Sequence, residues 1–395
     1  MKIIKLIFLC LLLSFFVTSC KQNKKEKIVE TAKGIPTSKF SKTMDDTNFE
    51  AIIDGDSVQL YTLVNKNGME VTLTNYGQRI ISLYVPDKDG NFEDVVLGFP
   101  KLDDYTATKN YYGSTIGRYG NRIAKGRFSI DGKVYELATN NNGNHLHGGD
   151  KGFESVVWNV DKVTESEILF SRTSPDMEEG YPGNLQVKVM YTLTDENELK
   201  ISYQAKTDKS THVNLTHHSF FNLNGEGSGT VNNHILMLNA DGFTPVDSGL
   251  IPTGKIEKVA GTPFDFTKPK PIGADLEVDY EQLTLGKGYD HNFVLNETPK
   301  NSEGLVLAAK VIEPESGRIL EVYTDEPGVQ FYGGNFLTGT DIGKSGKPYA
   351  FRGSFCLETQ HFPNSPNQSD FPSTRLDPGD TYISNCTYKF GVEGK

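Results

Sequence analysis

Histidines and carboxylates stand at four places in the chain where their neighbours do not account for them. In Phe355 to Gln360 a carboxylate, Glu358, interrupts an apolar run of high β propensity. Burying a glutamate is costly unless a partner or ligand faces it, and burial raises its pKa while a nearby cation lowers it. Such a position suits a tuned general base, or else a carboxylate salt-bridged for structural reasons to an arginine such as Arg122. Val213 to Leu223 carries the adjacent pair His217 and His218 toward the end of an expected strand. Neighbours on a strand point to opposite faces, which lets one face a cleft while the other packs or meets solvent. Asn140 to Gly149 is a loop of turn formers around His145 and His147, with glycines that allow close approach to a ring nitrogen. Tyr289 to Phe293 brings Asp290 into an apolar strand, where a buried acid needs a partner.

The elements that must position these groups are strands. Leu185 to Leu193 alternates apolar and polar residues, Asp195, Glu196 and Asn197 turn the chain, and Leu199 to Ala205 alternates again, as in a hairpin with one buried face. Similar runs occupy 70–74, 80–85, 155–160, 167–171, 305–312, 319–323 and 354–359, and Asp131-Gly132 marks a tight turn between 127–130 and 133–136. Stretches of helical period are few and short, which disfavours a parallel α/β fold. The strands are too many for an immunoglobulin domain, no fixed repeat suggests a propeller, and the expectation is an all-β chain forming a large antiparallel β-sandwich.

Seven ordered segments together resemble the aldose 1-epimerases, or galactose mutarotases, over roughly residues 49 to 390. They are Gly117 to Ile123, Asn144 to Gly149, Glu179 to Gly183, Thr216 to Leu223, Pro245 to Asp247 with Ile251 to Gly254, Asp290 to Phe293, and Leu357 to Gln360. The resemblance implies the mutarotase-like supersandwich and a free aldohexose such as galactose or glucose as substrate, its α and β anomers interconverted by ring opening and reclosure. It makes Glu358 the base and His218 the acid, places Arg122, His147, Asp290 and Asn121 on the sugar, and implies neither cofactor nor metal. His218 is preferred to His217 because it keeps the spacing to Ser219, Phe220, Phe221 and Asn222. Two positions depart from the family pattern: His217 stands where Asn is frequent and Gly120 where Ala is frequent.

The N-terminus reads as a lipoprotein signal. Lys2 and Lys5 precede an apolar run, Leu6 to Val17, too short to span a bilayer, and Val17-Thr18-Ser19-Cys20 resembles a lipobox. Residues 1–19 are then a signal peptide, Cys20 the lipidated anchor, 20–46 a flexible tether and 47–395 one domain, in a Gram-negative envelope and facing the periplasm. The net charge is −11, two units more negative once Lys2 and Lys5 are removed, and basic clusters are absent beyond the tether, so nucleic acid is excluded as a partner. Oligomeric state is not legible. Cys356 and Cys386 could pair or remain two buried thiols.

Three rival chemistries draw on the same residues. A cupin-like metal enzyme would take His145 and His147 as ligands with Glu154, and a glycoside hydrolase would use Glu358 and Asp290 as its carboxylate pair. A saccharide-binding lipoprotein would keep the fold without turnover. Gly339 to Ser345 imitates a phosphate loop, but it is one residue short and no helix pattern follows, so a surface turn is expected. Trp158 and most of the other aromatics are expected in the core, and sequence does not sort out which, if any, form a sugar-stacking platform.

Overall fold

The computed structural model describes residues 40, 44–107 and 109–394. The signal at 1–19 and Cys20 lie outside the described residues. Of the tether, only Phe40 and 44–46 are described, and there Phe40 stacks on Tyr84 at 4.6 Å while Met44 packs on the domain.

Alternation along Leu185–Leu193 buries Leu185, Val187, Val189, Tyr191 and Leu193 and turns Gln186 and Lys188 outward. This strand pairs with Glu198–Thr207 through a turn at Asn197, whose φ is 60°. The hairpin lies in a nine-stranded antiparallel sheet of order Asn159–Val163, Glu167–Ser174, Leu185–Leu193, Glu198–Thr207, Tyr382–Val392, Arg318–Thr324, Val306–Ile312, Ile235–Leu238 and Lys270–Pro271. A four-stranded sheet spans Leu60–Val64 to Phe92–Asp94, and a five-stranded one orders Glu257–Lys258, Gly242–Phe243, Asp290–Val294, Gly328–Tyr332 and Cys356–Gln360. One apolar cluster takes residues from all three sheets, such as Leu73, Val189 and Phe331, making a large antiparallel sandwich around a common core. The described residues hold two short α-helices, Leu102–Ala107 and Glu281–Gly286.

Asp131 and Gly132 both take positive φ and join Arg127–Ile130 to Lys133–Glu136, as a two-residue hairpin turn requires. The run at 155–160 is displaced: Phe153–Ser155 is a 3₁₀ turn, Val157 makes a single bridge to Tyr76, and the strand is Asn159–Val163. Val156 and Trp158 are buried because that extended crossing enters the core, not because they belong to the strand. Trp158 is core and donates Nε1–H to Phe153 O at 3.2 Å. The segment at 339–345 turns back on itself, with Gly343 N–H donating to Lys347 O at 2.8 Å, and Lys344 is taken up by Asp94 at 2.7 Å instead of standing free for a phosphate. Cys356 and Cys386 are two separate buried thiols.

Candidate active site

Glu358 and Asp290 owe their common direction to register. Asp290–Val294, Gly328–Tyr332 and Cys356–Gln360 lie side by side, with Gln330 opposite both Asn292 and Glu358. Period-two alternation therefore sends Asp290, Gln330, Cys356 and Glu358 to one face. His291, Phe331 and Leu357 go to the other, where His291 meets Phe264 at 4.7 Å and its Nε2 pairs with Gln282 Oε1 at 3.1 Å.

His218 ends the short strand Thr216–His218, which pairs with Ser114–Ile116. Beyond it, Phe221 and Phe355 exchange reciprocal backbone hydrogen bonds of 2.7 and 2.9 Å. Continued three residues each way, that antiparallel pairing brings His218 opposite Glu358, and the atoms agree: His218 Nε2 lies 3.5 Å from Glu358 Oε1. His217 points the other way, between Tyr191 and Tyr388 in the core, with Nδ1 on Ser219 Oγ at 3.1 Å. Strand parity thus turns His218 toward the cleft and His217 into the core. Both departures from the family pattern avoid the cleft: His217 is core, and a Cβ on Gly120 would stand 2.8 Å from Thr216 Cγ2.

The histidine loop is built by its asparagines and by Tyr181. Asn140 Oδ1 accepts Leu146 N–H at 2.8 Å and its Nδ2 donates to Leu146 O and Gly149 O. Gly148, at φ 85°, crosses so close to Gly117 O that a Cβ would lie 1.8 Å from it. His145 is fully engaged, with Nδ1 on Ala138 O at 2.8 Å and Nε2 on Tyr181 OH at 2.7 Å. Glu154 is buried beside Ser155, which donates to its Oε1 at 2.9 Å. The cupin-like set of His145, His147 and Glu154 is therefore not assembled. His147 instead accepts Asn121 N–H on Nδ1 at 3.1 Å. Asn121 Oδ1 is occupied by Arg122 N–H at 2.9 Å, so this residue shapes the turn and holds His147.

Asn121, Arg122, His147, His218, Asp290 and Glu358 all line one cleft of about 560 Å³, a size typical of small-molecule sites. Arg122 Nη1 stands 3.8 Å from Asp290 Oδ2, whose other oxygen accepts Gln330 Nε2–H at 2.7 Å. Tyr111, Phe220, Tyr332 and Phe336 supply apolar walls. Tyr111 and Phe220 flank the His218 ring nearly parallel to it, at 5.7 and 4.8 Å. Of the residues that build the site, Gln330 and Tyr111 carry only faint signals in the sequence: a lone amide within Val329 to Tyr332, and a Tyr-Tyr pair before Gly113.

Burial dominates the electrostatics. It holds the Glu358 carboxyl well above the usual range, reinforced by Asp290 and opposed by Arg122. It pushes His218 down to about 3, and holds His147 well below its ordinary value with help from His218 and Arg122. Asp290 is raised by burial against the pull of Arg122 and Gln330. His147, His218 and Glu358 offer donor atoms within 4.8 Å of one another, a spacing a divalent ion could use. An imidazole that accepts at Nδ1 carries its proton on Nε2, however, so neutral His147 presents a hydrogen-bond donor to the cleft and no lone pair.

These charges predict opposed pH effects. Arg122 stabilises the Glu358 carboxylate whereas Asp290 destabilises it. Glu358 is therefore expected to ionise at higher pH in Arg122→Gln and at lower pH in Asp290→Asn, read as the acid limb of the pH profile of any turnover that uses the carboxylate. Profiles that move in the same direction would contradict this arrangement.

Comparison with known proteins covers nearly the whole described chain. The sequence profile of the family described as Aldose 1-epimerase matches residues 59–389. A Bos taurus galactose mutarotase is 48% identical over 324 residues, 82% of this chain and 92% of its own. The aldose 1-epimerase of Escherichia coli K12 is 40% identical over 342 residues, 86% of this chain and 97% of its own. The solved structure of a GalM/aldose epimerase homologue from C. elegans superposes with a TM-score of 0.78 at 32% identity, covering 85% of this chain and 99% of that one.

Proposed function

The chain belongs to the aldose 1-epimerase family, and on that footing we propose that it interconverts the α and β anomers of a free aldohexose such as galactose or glucose. One observation carries the mechanism: His218 Nε2 and Glu358 Oε1 stand 3.5 Å apart in a cleft ringed by Arg122, His147 and Asp290. The C1 hydroxyl and the ring oxygen of a cyclic aldose are separated by a single carbon. The groups that serve them must be near neighbours, and these are.

Glu358 takes the proton of the C1 hydroxyl while protonated His218 gives one to the ring oxygen, breaking the bond from C1 to that oxygen and leaving a C1 aldehyde. Rotation about the C1–C2 bond presents the other carbonyl face. The proton transfers then reverse: His218 recovers its proton from the attacking hydroxyl as Glu358 returns one to O1. Each cycle ends with the protonation it began with, and no redox change, added water or leaving group enters the balance.

The pair shares one proton throughout. Ionised Glu358 with protonated His218 starts the opening; protonated Glu358 with neutral His218 accompanies the open aldehyde. Burial favours the uncharged arrangement, and so lowers the energy of the open-chain state relative to water. Arg122, and the mutual attraction of His218 and Glu358, favour the charged one. A site that changes sides at small cost suits a reaction whose two directions are equally needed.

Asp290 and Arg122 form a donor–acceptor edge for sugar hydroxyls, and the Nε2–H of His147 adds a donor. The test is polarimetry. Freshly dissolved α-galactose or α-glucose should lose its excess rotation faster with the protein than in buffer, while a methyl α-galactoside, lacking a free C1 hydroxyl, should be left intact. A buffer-like time course with every common aldose would favour a saccharide-binding protein, and cleavage of the methyl glycoside would favour a hydrolase.

We also propose that Cys20 anchors the protein to a Gram-negative envelope, facing the periplasm, through an acyl chain. Labelled palmitate should enter the wild-type protein and not Cys20→Ala. Equal labelling of the two would overturn the anchor.

A further inference from the structure

His218 has two ring nitrogens, and the mechanism above uses only one. Nε2 faces Glu358, and Nδ1 lies 3.5 Å from Cys356 Sγ. Cys356 is fully buried and opens the strand that ends with Gln360, so alternation puts its side chain on the same face as Glu358, two residues on. The ring between them is held by Tyr111 at 5.7 Å and Phe220 at 4.8 Å, with interplanar angles of 23° and 24°.

Resting on the mutarotase reading, we propose that Cys356 is a positioning residue for His218, a neutral acceptor that keeps a proton on Nδ1 so that Nε2 is the nitrogen that gives and recovers one. Because the exchanged proton leaves from Nε2, the neutral ring must hold its remaining proton on Nδ1 and its lone pair on Nε2. The Nδ1–H therefore needs an acceptor in both the charged and the neutral form. A carboxylate there would bias the ring toward the charged form. The thiol sulfur is a weak, uncharged acceptor that serves both forms alike, its own proton turned aside by rotation about the C–S bond.

The thiol does not enter the proton balance. Burial, with Glu358 and Asp290 nearby, holds its pKa well above the ordinary value, so it keeps its proton while His218 exchanges one. The two aromatic faces compensate in part for a weak acceptor, because a cation between π faces is stabilised. Sulfur can also approach a flanked ring at a longer distance than oxygen, and the 3.5 Å separation suits that contact.

The test compares Cys356→Ala and Cys356→Ser with an active wild type by polarimetry over a range of pH, with thermal melting to establish that both variants fold. The titratable and charged groups around the ring are Glu358, Tyr332 and Cys356 on strands of the five-stranded sheet, His147 in its loop, Tyr111, and Arg79 at longer range. All but Cys356 are unchanged in these variants.

Alanine removes the acceptor for the Nδ1–H and destabilises imidazolium. The expected result is a kcat about five-fold lower, the worth of one modest hydrogen bond, with KM within about two-fold and the alkaline limb, where protonated His218 is lost, moved to lower pH. Serine, whose oxygen also accepts, should recover most of the lost kcat and return the alkaline limb toward wild type. A folded alanine variant with the wild-type kcat and profile would overturn the proposal, as would a serine variant no better than alanine. An inactive wild type would instead overturn the mutarotase reading on which it rests.

Discussion

Glu358→Gln is expected to lower anomer exchange by about 10²- to 10⁴-fold while leaving a folded protein. Glutamine keeps the shape and a hydrogen-bonding oxygen at the centre of Cys356–Gln360 but cannot take the C1 hydroxyl proton. Glu358 is 1% exposed and its Oε2 lacks a hydrogen-bond partner, so the ionised form gains little from the surrounding protein. A glutamate whose folded pKa is raised costs stability above its unfolded pKa, because the native state resists losing that proton. At neutral pH the substitution removes this cost, and the melting temperature should be unchanged or higher. Low activity with undiminished stability separates a catalytic carboxylate from a structural one. Full activity in the folded variant would remove Glu358 from the mechanism.

The second large effect is expected at His218. His218→Asn should lose about 10²- to 10⁴-fold in kcat, since the amide can donate a hydrogen bond to the ring oxygen but cannot transfer a proton to it. The matched control is its neighbour. His217→Asn alters a core ring between Tyr191 and Tyr388, so it should lower thermal stability and leave turnover close to wild type. Combining Glu358→Gln with His218→Asn should cost little beyond either alone, because acid and base act on one hemiacetal as a unit. If His217→Asn abolished turnover and His218→Asn did not, strand parity would have been read the wrong way round.

Parity is where sequence reasoning served best. Alternation located the long strands, and the apolar character of Phe355 to Gln360 is enough by itself to mark the carboxylate within it as needing a partner or a ligand. Burial alone does not single out that carboxylate, however. Glu226 and Glu326 are also buried carboxylates, and their partners are structural: Glu226 receives the Tyr349 hydroxyl and Glu326 holds His361. The partners decide which carboxylate faces a cleft, and the partners are distant in sequence.

Gln330 and Cys356 illustrate the same limit. Gln330 reaches Asp290 across forty positions and Cys356 reaches His218 across 138, both fixed by sheet register that no local pattern records. Asn121 has a second task that its motif does not record: it lines the cleft, and its side-chain oxygen also accepts Arg122 N–H within its own turn. The run at 155–160 failed because an extended crossing into the core alternates much as a paired strand does. Burial was legible there, and pairing was not.

The central claim is that one proton-sharing pair opens and recloses a hemiacetal. Exchange NMR on an equilibrated aldose tests it most directly, because it detects turnover with no net reaction. With galactose or glucose the wild-type protein should produce exchange cross-peaks between the α and β C1 protons, with a rate that rises in proportion to protein concentration and returns to the buffer value in Glu358→Gln. Cross-peaks no stronger than in buffer, with every aldose tried and folded protein in the tube, would contradict the account.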